Sequence, residues 1–153
     1  MHQKILLPYC YKRQTLLATM LEVTTKNEID FFHAKSMLVK GVEFIGLINK
    51  QGRMESTLCK NEINLTKEKK EMFLMGLRLQ SAMQSDYDSE FGPVNYTITE
   101  RDNSKFVSIP SFPHIILAIM KKSKDHIAVI KKIKAAISNC KNANKELLVQ
   151  ESD

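Results

Sequence analysis

The chain reads as an α+β protein, a five-stranded antiparallel sheet with flanking helices in the order α-β-β-α-β-β-β-α. Three observations in its 153 residues lead there. Three segments carry apolar residues at helical spacing, and five shorter ones are alternating or continuously apolar over strand lengths. The gaps at 49–52, 102–104 and 110–114 are too short for parallel crossovers, so the strands they join are antiparallel.

The first helix is expected from residue 24. Thr25 or Asn27 can cap it, and Glu28 and Asp30 favour the positive end of its dipole. Ile29, Phe32, Ser36 and Val39 form its stripe, and Lys40-Gly41 is a stop signal. Phe44-Ile45-Gly46-Leu47-Ile48 reads as a buried strand. Asn49-Lys50-Gln51-Gly52 is a turn, with glycine where φ > 0 is needed, and Met54, Ser56 and Leu58 alternate after it to complete a hairpin.

Asn64 or Thr66 opens the second helix, with Glu68 near its start and its end near Asp86. Met72, Phe73, Gly76, Leu77, Leu79 and Met83 recur at helical spacing and predict a wide, well-buried face. Mid-helix Gly76 costs about 1 kcal/mol against alanine, which close packing would explain. Met72, Met75 and Met83 with Phe73 could line a pliable groove, but the period favours core.

Val94, Tyr96 and Ile98 alternate in a third strand. Phe106–Ile109 is a fourth, ended by Pro110, and Ile115–Met120 is a fifth, nearly all apolar and so central. Ser123 or Asp125 caps the last helix, whose buried stripe is Ile127, Ile130, Ile133 and Ile137, with Val129 and Ala136 alongside. Beyond Cys140 the sequence is polar except Leu147, Leu148 and Val149, and reads as a frayed tail with room for one more helical turn. There is no repeat and no low-complexity linker. The division expected is a tail or extra helix over 1–23, a single α/β domain over 24–140, and a C-terminal tail over 141–153. An over-extended reading frame, with the true start at Met20, is the alternative for the first segment.

Composition agrees with one globular core: 43% hydrophobic and 26% charged residues. No apolar run approaches the roughly 18 residues of a membrane span. Pro8 and Lys12-Arg13 break the apolar clusters near the start, which argues against a signal peptide. The three cysteines, Cys10, Cys59 and Cys140, lack metal-ligand spacing and suit a reducing interior, so the cytoplasm is the expected location. The sequons at Asn64 and Asn95 would matter only in an exported chain.

The net charge is +6, carried mostly by lysine, with arginine only at positions 13, 53, 78 and 101. Lysine excess suits a solvated surface better than base readout. The densest basic stretch runs from Lys121 to Lys145, with Asp125 and no aromatic residue inside it. Its bland reading is the wet face of an amphipathic helix; the alternative is a salt-sensitive phosphate-binding face.

Motifs for chemistry are few. Asp86, Asp88 and Glu90 alternate as in a calcium loop, but the glycine falls one place late and position twelve is Thr97. His2, His33, His114 and His126 have no ligand-pair spacing, and His114 and His126 read as solvent-facing. Nucleophile-elbow, phosphate-loop and dinucleotide signatures are missing. No catalytic, cofactor-binding or metal-ligating residue is assigned, and enzyme activity is not expected.

The element order, the hairpin around Gly52, the long helix 66–85 and the final helix after an apolar strand resemble the roadblock and dynein-light-chain domains, and more broadly the longin and profilin-like folds. The resemblance covers residues 26–140. The stretches Phe44-Ile45-Gly46-Leu47-Ile48-Asn49-Lys50-Gln51-Gly52-Arg53 and Glu90-Phe91-Gly92-Pro93-Val94-Asn95-Tyr96 look like a set of short archaeal proteins of roadblock-like layout. The resemblance implies an interaction module, since roadblock-like proteins pair by a sheet edge or a helix, and some regulate small GTPases or act as scaffolds. No residue motif for GTPase contact is present to carry over. The function expected is therefore a non-catalytic protein-interaction or scaffold module, as a homodimer or with a protein partner. The alternatives are a small-ligand sensor with an apolar pocket, as in the similar PAS and GAF domains, and a basic nucleic-acid or anionic-surface binder acting through the last helix.

Overall fold

A computed structural model describes residues 41–59 and 61–150. The tail or extra helix over 1–23, the helix expected over 24–40, Met20, His2, His33, Cys10, and the side chains of Cys59, Cys140, Lys141 and Lys145 lie outside the described residues.

The described elements are β1 Val42–Ile48, β2 Met54–Cys59, α1 Lys67–Ser85, α2 Asp88–Phe91, β3 Thr97–Glu100, β4 Ser104–Ser111, β5 His114–Lys121 and α3 His126–Gln150. The strands form one sheet in the order β2-β1-β5-β4-β3, every pairing antiparallel. The expected α+β architecture is the one found. β1 and β5 are central, which is why their sequences are apolar on both faces.

Alternation assigns the two faces. Ile45 and Leu47 of β1, Val107 and Ile109 of β4, and Ile116, Ala118 and Met120 of β5 pack against Val129, Ile130 and Ile133 of α3. Phe44, Ile48, Ile115 and Leu117 face the other way, toward Leu74 of α1. Removing each such side chain from water contributes about 1.5–3 kcal/mol, so the two layers hold the sheet from both sides. One bulge interrupts β2. Leu47 stands opposite Ser56 and Ile48 opposite Met54, so Glu55 is the extra residue. The bulge puts Met54 with the α1-side cluster while Leu58 stays on the α3 side.

The turn after β1 forms as its sequence requires. Gly52 has φ +73, and the Asn49 side-chain oxygen accepts from the amides of Gln51 and Arg53, both at 3.0 Å. Thr66 caps α1 by accepting from the Lys69 amide at 3.3 Å, and Asp86 ends the helix.

Several details differ from the sequence reading. β3 begins at Thr97 rather than Val94; continuing its register from Thr97 opposite Ser108 would set Asn95 against Pro110, which has no N–H to give. β4 runs through Pro110 to Ser111, and His114 opens β5 instead of lying in a loop. α3 continues to Gln150, so much of the tail expected over 141–153 is helical. That stretch is polar but holds no glycine or proline and is rich in lysine, glutamate and leucine, which sustain a helix. Finally, Ile127 of the expected buried stripe is 38% exposed, while Val129, expected alongside the stripe, is in the core.

Candidate functional site

α1 meets the sheet by a narrow face. Leu74 is buried, Phe73 and Leu77 are half-buried, and the Phe73 ring stands edge-on to Phe106 of β4 at 5.5 Å. The expectation of a well-buried helix with a methionine core is overturned. Met72, Met75, Leu79 and Met83 are 74%, 53%, 59% and 60% exposed. Their spacing of three, four and four residues puts them on one stripe facing away from the sheet. Met75 lies over the β1–β2 turn, its sulfur 3.2 Å from where a Gly52 Cβ would stand. Gly76 lies beside the stripe, and among the described residues nothing stands within 4 Å of the position its Cβ would take. The close packing expected there is not supplied by the described residues.

Among the described residues, β3 is an outer strand of the sheet, with a ladder to β4 on one side only. Its Thr97 hydroxyl donates to the Gln84 side-chain oxygen at 3.2 Å, which joins the C-terminal half of α1 to this edge. Tyr87 and Phe91, 61% and 87% exposed, continue the apolar surface beyond the helix. An exposed apolar stripe on a helix is the physical mark of an association surface.

On another flank of α1, its C-terminal half, α2 and the β4–β5 hairpin enclose a cleft of about 430 Å³. Arg78, Ser81 and Ser85 line it from α1, Asp88 from α2, and Phe112 and His114 from the hairpin. His114 is not the solvent-facing residue expected. Its side chain is 12% exposed, and Nε2 lies 2.6 Å from Oε2 of Glu55, the bulge residue of β2. A larger hollow of about 570 Å³ lies at the other end of α1, floored by Phe44, Phe73, Phe106 and Ile119.

The basic stretch divides. Lys121, Lys122, Lys131 and Lys132 are exposed, whereas Lys124 and Lys134 are half-buried; Lys105, outside the stretch, reaches the Lys124 carbonyl oxygen at 3.2 Å and Glu100 at 3.9 Å. Asp125 caps α3 by accepting from the Ile127 amide at 3.0 Å. The acidic segment after α1 is the short helix α2, closed by Gly92 at φ +80. Among the described residues, no three His, Cys, Asp or Glu groups come together as a metal site, and no helix is long and apolar enough to cross a membrane.

Sequence reasoning reached the residues of the stripe but put them in the core. It missed the cleft, because Arg78, Asp88 and His114 come from three separate elements and no spacing joins them.

No family model and no curated protein matches the chain. Solved structures do match in shape. A Roadblock/LC7 domain from Streptomyces avermitilis superposes with a TM-score of 0.54 at 11% identity, covering 72% of this chain and 89% of that one. MglB from Myxococcus xanthus gives 0.55 at 11% identity over 80% and 99%. A structure described as MglB with tetrameric arrangement gives 0.58 at 8% identity over 82% and 94%. Identities this low speak for shape alone, and the shape agrees with the element order, the antiparallel sheet and the layering of α1 and α3: the chain has a roadblock-like fold.

Proposed function

We propose that this chain is a non-catalytic protein-interaction module, with 24–140 as its single domain, that pairs with a second copy of itself through the α1 stripe and the β3 edge. The observation that carries the reading is the exposure of Met72, Leu79 and Met83, with β3 as an outer strand of the described sheet. A two-fold axis would set β3 against its own copy and α1 against its own copy, which is how an isologous interface uses one patch twice. Gly76 would then be the point of closest approach between the two helices, and that role accounts for its bare surroundings. Self-association is open to the fold, since MglB has been described in a tetrameric arrangement. The cysteine usage suits a cytoplasmic setting for such a module.

The test is molar mass by light scattering after size exclusion, in low and high salt. The expected result is about twice 17.6 kDa in both. Leu79→Glu with Met83→Glu should convert the dimer to a monomer without loss of helical signal, because a carboxylate on each copy would be buried against the other. A monomeric parent chain sinks the reading. Co-eluting nucleic acid that leaves in high salt would instead favour the exposed lysines around α3.

A further inference from the structure

We propose that the α1 stripe is a site of methionine oxidation, through which a peroxide dissociates the dimer proposed above, on whose existence this inference rests. Three of the four side chains in the stripe are thioethers. Met72, Met75 and Met83 are 74%, 53% and 60% exposed, so a small oxidant reaches their sulfurs from solvent. Met120, by contrast, is fully buried under the sheet, and Met54 packs into the cluster around Phe44 and Leu74. The fourth stripe residue, Leu79, has no atom that a peroxide attacks. The reactive methionines therefore gather on the one apolar surface that the fold leaves uncovered among the described residues.

The oxidant is hydrogen peroxide. The thioether sulfur attacks one peroxide oxygen, the O–O bond breaks, an S–O bond forms and water leaves. Sulfur gives up an electron pair and the peroxide takes it. The product, methionine sulfoxide, turns a flexible apolar end into a polar one whose oxygen accepts hydrogen bonds.

That change matters only in the paired state. On the open face of α1 the new oxygen is hydrated. Against a second copy it would leave water for a surface of thioethers and Leu79, which offers no donor, and an unsatisfied buried acceptor is costly. The two-fold axis repeats the cost, since every modified residue occurs once on each copy. Pairing and oxidation therefore oppose each other. The dimer covers the sulfurs, the exchanging monomer exposes them, and the oxidised monomer pairs poorly.

The experiment treats the full chain with hydrogen peroxide, locates each added oxygen by peptide mass spectrometry, and reads the dimer dissociation constant by light scattering. Met72 and Met83 should gain oxygen well before Met120, and more slowly at protein concentrations where the dimer dominates. The dissociation constant should rise about a hundredfold or more. Dithiothreitol alone, which restores oxidised thiols, should not reverse the rise, whereas adding methionine sulfoxide reductases should. Met72→Leu with Met75→Leu and Met83→Leu removes the reactive sulfurs and keeps the cysteines. Peroxide should leave that chain's own dissociation constant within about twofold of its untreated value. A dimer that persists with Met72 and Met83 oxidised overturns the proposal, as does full recovery with dithiothreitol alone. An untreated chain that is already monomeric overturns the dimer reading itself, and this proposal with it. The reductase arm uses the unaltered chain, so the proposal stays falsifiable if the variant fails to fold.

Discussion

Replacing Gly46 by alanine tests the packing of the central strand. Gly46 stands in β1 between Thr57 of β2 and Leu117 of β5. A Cβ built there would meet Met54 Sδ at 2.5 Å, Met54 Cε at 2.9 Å and Phe44 Cε1 at 2.7 Å. The methionine end can swing away, but the Phe44 ring, 2% exposed, has little room to move. Overpacking of this kind costs about 1–3 kcal/mol. Alanine returns about 0.5–1 kcal/mol, because glycine loses more chain entropy in a strand. The net loss is centred on about 1 kcal/mol within a range of about 0–2.5 kcal/mol, or about 2–4 °C in Tm at the centre for a chain of this size. Urea unfolding at one protein concentration should show a lower midpoint with an unchanged slope. Combining Gly46→Ala with Met54→Ala removes two of the three clashing atoms. The alanine at position 46 should then cost less, by a coupling of at least about 0.5 kcal/mol. A Gly46→Ala chain more stable than the parent, or an equal cost in both backgrounds, would refute the packing argument.

Two further changes probe the layers on either side of the sheet. Thr66→Ala deletes the α1 cap and should lower stability by about 1 kcal/mol, read by thermal unfolding, with Thr66→Ser nearly neutral. Ile133→Ala, at a site 1% exposed under the sheet, should cost about 2–5 kcal/mol in urea unfolding. The same change at Ile127, 38% exposed, should cost clearly less, since the lost contact area is smaller.

Much of the fold was legible because local rules coincide with the global one. The run Phe44–Ile48, the Asn49–Gly52 turn and the alternation after it specify a hairpin without reference to anything distant. The α1 limits were also local, since Thr66 is a side-chain cap and Asp86 precedes the turn into α2. The extent of β3 was not local. It depends on which β4 residue stands opposite, and the proline there is thirteen or more positions away in the chain. The C-terminal reach of α3 was misjudged because polarity was read as fraying, although polar helix formers keep a helix intact.

The site divides in the same way. The sequence alone determined that residues 66–85 form an amphipathic helix, that the strands are antiparallel, and that the chain has few glycines for a phosphate loop. Periodicity, however, gives α1 two apolar faces, one with Phe73, Leu74 and Leu77 and one with Met72, Met75, Leu79 and Met83. Both repeat every three or four residues, so period cannot say which one meets the sheet. Only the tertiary structure decided that, because the choice rests on the shape of the surface formed by Phe44, Ile48, Ile115 and Leu117, drawn from two strands some seventy residues apart. The meeting of Arg78, Asp88 and His114 around one cleft was settled at the same level, by the packing of α1 against a hairpin that lies far along the chain.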